Sequence, residues 1–267
     1  MTAAMTAAST AAPATAPVAS TWRKVVARLR GQLPGACALC ARTGPHVLCQ
    51  GCSDDHFGML QTRCSCCALP LTGVGTTPSL CGRCLRQPPA FDATVVAANY
   101  AAPVDRLVLE LKFGNRLALA TLFAEQMQAA LAAATFNRPD DRGLPMPTCL
   151  TAVPLGAQRL RQRGFNQALE IAKPLAAAFD IALAPRMLVR CRETDPQARL
   201  SPAERHQNLR GAFILTPEWI ARVRGCHVGV VEDVMTTGQT LNEIAATLKR
   251  FGAARVTNLV FARTLPK

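Results

Sequence analysis

Two adjacent carboxylates, Glu232 and Asp233, end a β-branched run and precede a loop rich in threonine and glycine. Carboxylates placed in this way can accept hydrogen bonds from the two neighbouring hydroxyls of a ribose. The loop offers backbone N–H groups, hydroxyls and the positive end of a following helix to a phosphate. The candidate phosphate-binding residues are Thr236, Thr237, Gly238, Gln239 and Thr240. The pattern predicts a site for a phosphorylated ribose.

The elements around this loop form a strand, a loop, a helix and a second strand. Apolar residues recur with helical spacing after the loop, at Leu241, Ile244, Ala245 and Leu248. Gly252 then ends the helix, and residues 256–261 are typical of a buried strand. This order predicts a parallel α/β sheet, with the loop at the carboxyl end of its strand, where such sheets bind ligands.

A second polar segment follows an apolar strand predicted at residues 149–153. Three arginines stand at alternate positions, and we expect them on a loop before a helix that Pro174 kinks or restarts. Guanidinium groups match the oxygens of a pyrophosphate with forked donors. The candidate pyrophosphate-binding residues are Arg159, Arg163, Asn166 and, from an earlier helix at residues 104–112, Lys112.

Twelve cysteines are present, and eight of them form four Cys-x-x-Cys pairs. Two such pairs supply the four thiolates that a structural zinc ion takes, so four pairs predict two zinc ions. The eight candidate ligands are Cys37, Cys40, Cys49, Cys52, Cys64, Cys67, Cys81 and Cys84. Sequential pairing of neighbouring motifs and a crossed arrangement, first with third and second with fourth, are both compatible with the spacing. Cys66 is expected to remain outside the ligand set, because Cys64 and Cys67 preserve the two-residue gap.

Composition indicates a globular protein with anionic partners. The chain has 267 residues, 49% of them hydrophobic, and a formal net charge of +13, which favours nucleic acid or phosphorylated small molecules. No apolar run is long enough for a membrane helix, so we expect no integral membrane segment. Residues 1–33 are predicted to be a disordered basic segment with a short helix around Trp22. That helix is compatible with a targeting peptide, a membrane-surface helix, a nucleic-acid arm or a solvated helix docked by Trp22.

The loop at Glu232 to Thr240 resembles the phosphoribosyl pyrophosphate (PRPP) loop of type I phosphoribosyltransferases, with Glu232 in place of the commoner Asp. The order of motifs along the chain is similar to that of the ComF competence family. It comprises the cysteine pairs, Leu111-Lys112-Phe113, Val153-Pro154, Arg163-Gly164-Phe165-Asn166-Gln167, Gln197 with Arg205 and Asn208, and the PRPP loop. The resemblance implies a double zinc ribbon at residues 34–88 and a type I phosphoribosyltransferase-like domain at 91–267. In that fold a parallel sheet is flanked by helices.

The resemblance also implies a function in natural competence. It predicts a cytoplasmic bacterial protein that binds PRPP with magnesium and transfers phosphoribosyl to an unidentified acceptor, releasing pyrophosphate. A flexible loop would close over PRPP and carry Arg192, Thr194, Gln197, Arg199 and Arg205. Thr236 stands where purine-using relatives often have an aspartate, so no general base is evident. The alternative is a non-catalytic PRPP-binding factor that associates with single-stranded DNA and the DNA-uptake machinery.

Overall fold

The computed structural model describes residues 35–57, 61–71, 80–136, 143–191 and 211–265 of the chain. The predicted basic segment at 1–33 lies outside these residues. So do the five residues assigned to the flexible loop, Arg192, Thr194, Gln197, Arg199 and Arg205.

Short elements surround the cysteine pairs, and longer ones follow. The cysteine-rich part contains strands β1 (Gly35–Ala36) and β2 (Thr43–Gly44) and helices α1 (Gln50–His56) and α2 (Gly82–Arg86). The remaining elements are β3 (Ala93–Asn99), α3 (Val104–Phe113), α4 (Leu119–Phe136), β4 (Cys149–Ala152), α5 (Ala157–Arg163), α6 (Gln167–Ala178), β5 (Ala182–Leu183), β6 (Leu188–Arg190), β7 (Phe213–Leu215), α7 (Pro217–Ile220), β8 (His227–Met235), α8 (Gln239–Arg250) and β9 (Arg255–Arg263).

Five strands form a parallel sheet in the order β3-β9-β8-β4-β5. Neighbouring residues of β8 pack on opposite faces, since Val230 lies in one apolar cluster and Val231 in the other. One cluster joins α3, α4 and α6 to the sheet, and the other joins α8 and the β6–β7 pair. The predicted parallel sheet flanked by helices is therefore confirmed.

The sheet order places a ligand crevice between β4 and β8. The chain leaves β8 towards β9 on one side and leaves β4 towards β5 on the other side. Such a reversal opens a crevice at the carboxyl ends of the two strands, where α/β sheets bind ligands. Both predicted polar segments follow these two strands.

One local prediction was wrong. The segment with alternate arginines is the helix α5, ended by Gly164 at φ +77°, and not a loop. Residues 157–163 contain no glycine or proline, so nothing opposes a helical turn before Gly164. Helix α6 runs through Pro174, so of the two outcomes predicted for that residue the restart does not occur and the kink remains a prediction.

Both cysteine-rich pieces pack against the sheet. Cys37 belongs to the apolar cluster of α3, α4 and α6, and Phe57 lies with its ring centroid 5.9 Å from that of Phe261. Cys64 and Cys67 belong to the other cluster, which contains Phe91. The sheet therefore supports the two cysteine-rich pieces from its two faces.

Candidate functional site: a ribose-phosphate cleft and two four-cysteine clusters

A cleft of about 310 Å³ lies at the carboxyl ends of β4 and β8. It brings together most of the residues predicted from the sequence: Glu232, Asp233, Thr236, Gly238, Gln239, Thr240, Lys112 and Arg159. Residues from separate parts of the chain thus converge at one place, as the ribose-phosphate prediction requires.

The two carboxylates of the cleft differ in their surroundings. Asp233 is buried, and its Oδ2 lies 2.6 Å from Nζ of Lys112. Burial alone would raise the pKa of Asp233, but the Lys112 ammonium holds that pKa below its usual range. Burial and the neighbouring Asp233 charge raise the pKa of Glu232 well above its usual range. Ionisation is therefore favoured at Asp233 and disfavoured at Glu232.

The loop after β8 is shaped by Gly238. This residue has φ +80°, and a Cβ on it would lie 2.5 Å from Cε of Met235, so only glycine fits without strain. Gly238 is the N-cap of α8, and Gly238, Gln239 and Thr240 all line the cleft. The first turn of a helix has N–H groups without partners inside the helix, and these favour an anion.

Three predicted residues lie beside the cleft and do not line it. Thr237 borders a second cavity, on the other side of the loop, and its hydroxyl accepts from the Gln239 N–H at 3.4 Å. Asn166 caps α6: its side chain accepts from the Ala168 N–H and donates to the Val153 carbonyl. The binding roles predicted for Thr237 and Asn166 remain predictions.

Arg163 is the third of these residues. Its guanidinium lies 5.2 Å from the ring centroid of Phe113, and its Nη1 donates to Oε1 of Gln167 at 2.5 Å. Because Arg159 and Arg163 are four residues apart on α5, they share a face of that helix. Arg163 therefore reaches the cleft through Gln167, and Arg159 lines it directly.

Sequence reasoning missed three lining residues with polar groups: Gln167, Tyr100 and Arg190. Gln167 is buried, and its side chain is one of the groups that lower the pKa of Asp233. It closes the Arg-Gly-Phe-Asn-Gln motif, so its place in that motif could have indicated it. Arg190 ends β6, which pairs with β7 through Arg190 and Phe213. The ends of the segment predicted to form a flexible loop are thus held beside the cleft.

The eight paired cysteines form two groups. Cys37, Cys40, Cys49 and Cys52 lie together, and so do Cys64, Cys67, Cys81 and Cys84; within each group the Sγ atoms are within 4.8 Å of one another. We name these groups cluster 1 and cluster 2. The grouping is the sequential one and excludes the crossed one. Cys66 is outside cluster 2 and lies with its Sγ 3.7 Å from the Phe91 carbonyl.

The donor geometry of both clusters fits zinc. Four thiolates around zinc at about 2.3 Å lie roughly 3.8 Å apart, and the Sγ atoms of Cys40 and Cys49 are separated by 3.6 Å. Burial alone would raise the pKa of Cys37, but backbone N–H groups, led by that of Cys40, lower it to about 6. In cluster 2 the Cys84 N–H is foremost in lowering the pKa of Cys81 to about 7, against the effect of burial. Each cluster therefore contains a thiol poised to ionise, as metal binding needs.

Curated relatives align with most of the chain. It is 36% identical over 244 residues to the DNA utilization protein YhgH of Salmonella typhi, covering 87% of this chain and 99% of that protein. The YhgH protein of Escherichia coli K12 is 35% identical over 236 residues, with the same shares of the two chains. Competence protein F of Haemophilus influenzae is 33% identical over 179 residues, which is 66% of this chain and 75% of that one. No protein-family model matches the chain.

Solved structures with similar folds include phosphoribosyltransferases. A hypoxanthine phosphoribosyl transferase of Trypanosoma cruzi aligns at 15% identity over 57% of this chain and 76% of that chain, with a TM-score of 0.35. An allosteric regulatory enzyme of purine biosynthesis aligns at 21% identity over 53% of this chain and 25% of that one, with a TM-score of 0.33. The strand order β3-β9-β8-β4-β5 defines the fold independently of these structures.

The chain combines a phosphoribosyltransferase-like fold, a parallel sheet flanked by helices, with an N-terminal module that contains two four-cysteine clusters. The chain belongs to the ComF competence family, as its identity to the YhgH proteins and to Competence protein F shows. None of the helices in the described ranges is both long and apolar enough to cross a bilayer.

Proposed function

We propose that this protein binds PRPP with magnesium in the cleft between β4 and β8. Glu232 and Asp233 accept hydrogen bonds from the ribose hydroxyls, and the loop with the first turn of α8 takes the 5-phosphate. Arg159 and Lys112 face the pyrophosphate, with Arg163 and Asn166 behind them. The observation that carries the proposal is the convergence of Glu232, Asp233, the Gly238 turn, Arg159 and Lys112 on one cleft.

The ion pair between Lys112 and Asp233 gives this binding a defined first step. The ammonium of Lys112 lies next to Oδ2 of Asp233. A ribose hydroxyl that donates to Asp233 displaces this ammonium, which becomes available to the negative pyrophosphate. Binding therefore replaces the pair of Lys112 with Asp233 by a pair of Lys112 with the pyrophosphate. The buried Asp233 keeps a hydrogen-bond partner in the ribose hydroxyl. Magnesium bound with PRPP needs few protein ligands, because phosphate and ribose oxygens surround it.

We further propose that the protein transfers phosphoribosyl to an acceptor whose identity is open. Displacement of pyrophosphate builds positive charge on the ribose, so positioning and electrostatic stabilisation supply most of the acceleration. The ionised Asp233 lies beside the ribose and stabilises that charge. Thr236, exposed at the cleft, offers no general base. The acceptor must therefore bring its own activated group or be deprotonated elsewhere.

The second candidate is a PRPP-binding factor without turnover that works on imported single-stranded DNA. The relatives are named for DNA utilization and competence, and the chain carries a net charge of +13. In this case the protein acts in the bacterial cytoplasm beside the DNA-uptake machinery. PRPP then acts as a regulatory ligand that is bound and not converted.

Two zinc ions complete the proposal, one in each cluster. Zinc supplies the folding energy that short, core-poor cysteine segments lack. Native mass spectrometry should find two zinc ions per chain. A folded protein with no metal would contradict the assignment.

Calorimetry with PRPP and magnesium, followed by a pyrophosphate-release assay across nucleobases and single-stranded DNA, tests the two candidates. Binding with release for one acceptor supports the transferase, and tight binding without release for any acceptor supports the second candidate. Absence of PRPP binding by the wild-type protein would refute both. DNA binding should weaken steeply with salt, because phosphate contacts release counterions; salt-insensitive binding would contradict a phosphate-dominated contact.

Asp233→Ala provides the sharper test of the site. It should abolish PRPP binding with both zinc ions retained, because it removes the ribose acceptor and the partner of Lys112 without touching a cysteine. Glu218→Ala is the matched control, since Glu218 is an exposed acid on α7, away from the cleft lining. Unchanged PRPP affinity in Asp233→Ala would show that the ribose role is wrong.

A further inference from the structure

Arg263, the last residue of β9, connects cluster 2 to the loop that precedes α8. Its side chain is buried, with 3% of the residue exposed. Its Nε donates to the carbonyl of Cys67 at 3.3 Å, and its Nη1 donates to the carbonyl of Met235 at 3.0 Å and to that of Thr236. One guanidinium thus bonds the backbone of a cluster 2 cysteine and the first carbonyls of the loop.

The loop depends on these hydrogen bonds because packing behind it is incomplete. A cavity of about 440 Å³ separates the loop from cluster 2, and its lining includes Thr237, Gly238, Cys84 and Arg263. Backbone beside a cavity of this size lacks the close packing that fixes most buried chain. The carbonyls held by Arg263 are therefore restrained mainly by hydrogen bonding, which for the Met235 carbonyl includes a bond from the Thr264 N–H at 3.1 Å.

The charge of cluster 2 explains why a buried arginine is stable in this position. Four thiolates around a divalent zinc ion carry a net charge of about −2. Arg263 and the half-buried Arg63 lie on this side, and Arg63 donates to the carbonyl of Ala68 at 3.0 Å. A buried charge is costly without a partner, and the loaded cluster supplies one. Loss of zinc releases Cys67 from the cluster, so the carbonyl that accepts from Nε of Arg263 is no longer held in place.

Cluster 1 contacts the sheet in a different way. Its contact runs through the rings of Phe57 and Phe261, and Phe261 in turn stacks on Phe123 with centroids 3.5 Å apart. These contacts are apolar and belong to the part of the core that contains α3, α4 and α6, on the other face of the sheet from cluster 2. The loss of metal from cluster 1 therefore leaves Arg263 and its carbonyl partners in place.

We propose that Arg263 is a positioning residue that carries the metal state of cluster 2, and not that of cluster 1, to the phosphate-binding loop. Zinc in cluster 2 holds Arg263, and Arg263 holds the carbonyls of Met235 and Thr236, so the loop keeps the shape that receives the 5-phosphate. This inference rests on the proposed PRPP site. Coupling between two sites is reciprocal, so bound PRPP also retains zinc in cluster 2.

The first test uses the full-length wild-type protein loaded with two zinc ions. A chelator is added with or without PRPP and magnesium, and the cysteines exposed by zinc loss are alkylated and mapped by mass spectrometry. PRPP should slow alkylation in the peptides of cluster 2 by about tenfold, within the usual range of coupling between sites, and leave those of cluster 1 unchanged. Equal protection of both clusters, or of neither, would overturn the inference.

The second test replaces Arg263. Arg263→Met should retain both zinc ions, bind PRPP about tenfold more weakly, within the same range of coupling, and lose the PRPP-dependent protection of cluster 2. Arg263→Lys keeps the charge but offers one ammonium in place of a fork, so it should restore part of the affinity. Arg250→Met is the control, because Arg250 donates to Thr247 at the far end of α8.

The outcomes separate this inference from the proposed function. PRPP binding by the wild type with unchanged affinity in Arg263→Met overturns the role of Arg263 and leaves the PRPP site standing. No PRPP binding by the wild type overturns both. If Arg263→Met does not fold, the alkylation test on the wild type decides the question alone.

Discussion

Replacement of Lys112 by methionine removes one partner of the buried ion pair in the cleft. The side chain of Asp233 is 3% exposed and that of Lys112 is 21% exposed. Loss of one partner from a buried pair costs about 3–5 kcal/mol. Because water reaches Lys112, we expect the lower end, about 3 kcal/mol. In a chain of this size 1 kcal/mol shifts Tm by roughly 2–4 °C, so Lys112→Met should lower Tm by about 6–12 °C.

The pH dependence of this loss follows from the pKa of Asp233. In the wild type the pKa of Asp233 is lower in the folded protein than in the unfolded chain. The ion pair therefore stabilises the fold at pH values above the pKa of the unfolded chain, and this stabilisation is lost as the pH falls through the pKa of the folded protein. Without Lys112, burial raises the pKa of Asp233, and the variant gains a proton on acidification. The deficit in Tm should therefore be largest near pH 8 and should narrow towards pH 5.

Thermal unfolding followed by fluorescence at pH 8 and pH 5 measures both effects. Lys173→Met is the matched control, since Lys173 pairs with Glu170 at 2.6 Å on the surface and its side chain is 53% exposed. Such exposed pairs contribute at most about 1 kcal/mol. A Tm for Lys112→Met within 1 °C of the wild type, or an equal deficit at the two pH values, would refute the reasoning.

Three further outcomes are expected. Glu232→Gln should raise Tm at pH 8 more than at pH 5, because the raised pKa of Glu232 means that its stabilising effect is lost as pH rises; equal gains at both pH values would contradict this. Gly238→Ala should weaken PRPP binding and cost about 1–2 kcal/mol for the left-handed backbone alone, with added strain against Met235. The exposed Gly51→Ala, which meets no atom within 4 Å, serves as its control; equal effects of the two changes would argue against the Gly238 turn. Cys66→Ser should keep two zinc ions per chain by native mass spectrometry, and loss of one ion would place Cys66 among the ligands.

The elements that the sequence predicted well are those with strong periodicity. The spacing of Leu241, Ile244 and Leu248 predicts the buried face of α8, and all three are at most 2% exposed. The apolar run that ends in Glu232 and Asp233 predicts β8 with its carboxylates at the cleft. Local patterns suffice in these places because the interactions that decide them lie within a few residues.

Other features depend on contacts between distant parts of the chain. The four Cys-x-x-Cys motifs have the same spacing, so only folding decides that neighbouring motifs share a cluster. The pair of Lys112 with Asp233 needs α3 to pack beside β8, which no local pattern states. Arg263 directly follows the apolar run of β9. A charged residue at the end of a buried strand was the one signal in the sequence that this residue has a special role. The bounds of the cysteine-rich module at 34–88 and of the larger domain at 91–267 remain predictions.

Strand β9 lies between β3 and β8, although it follows both of them in the sequence. Its Asn258 donates to Thr94, a residue 164 positions earlier, so the sheet closes late in synthesis. Both cysteine clusters are synthesised before β9, the strand whose Phe261 and Arg263 support them. During this interval they lack that support. Zinc captured during synthesis would protect eight thiols from oxidation during this interval.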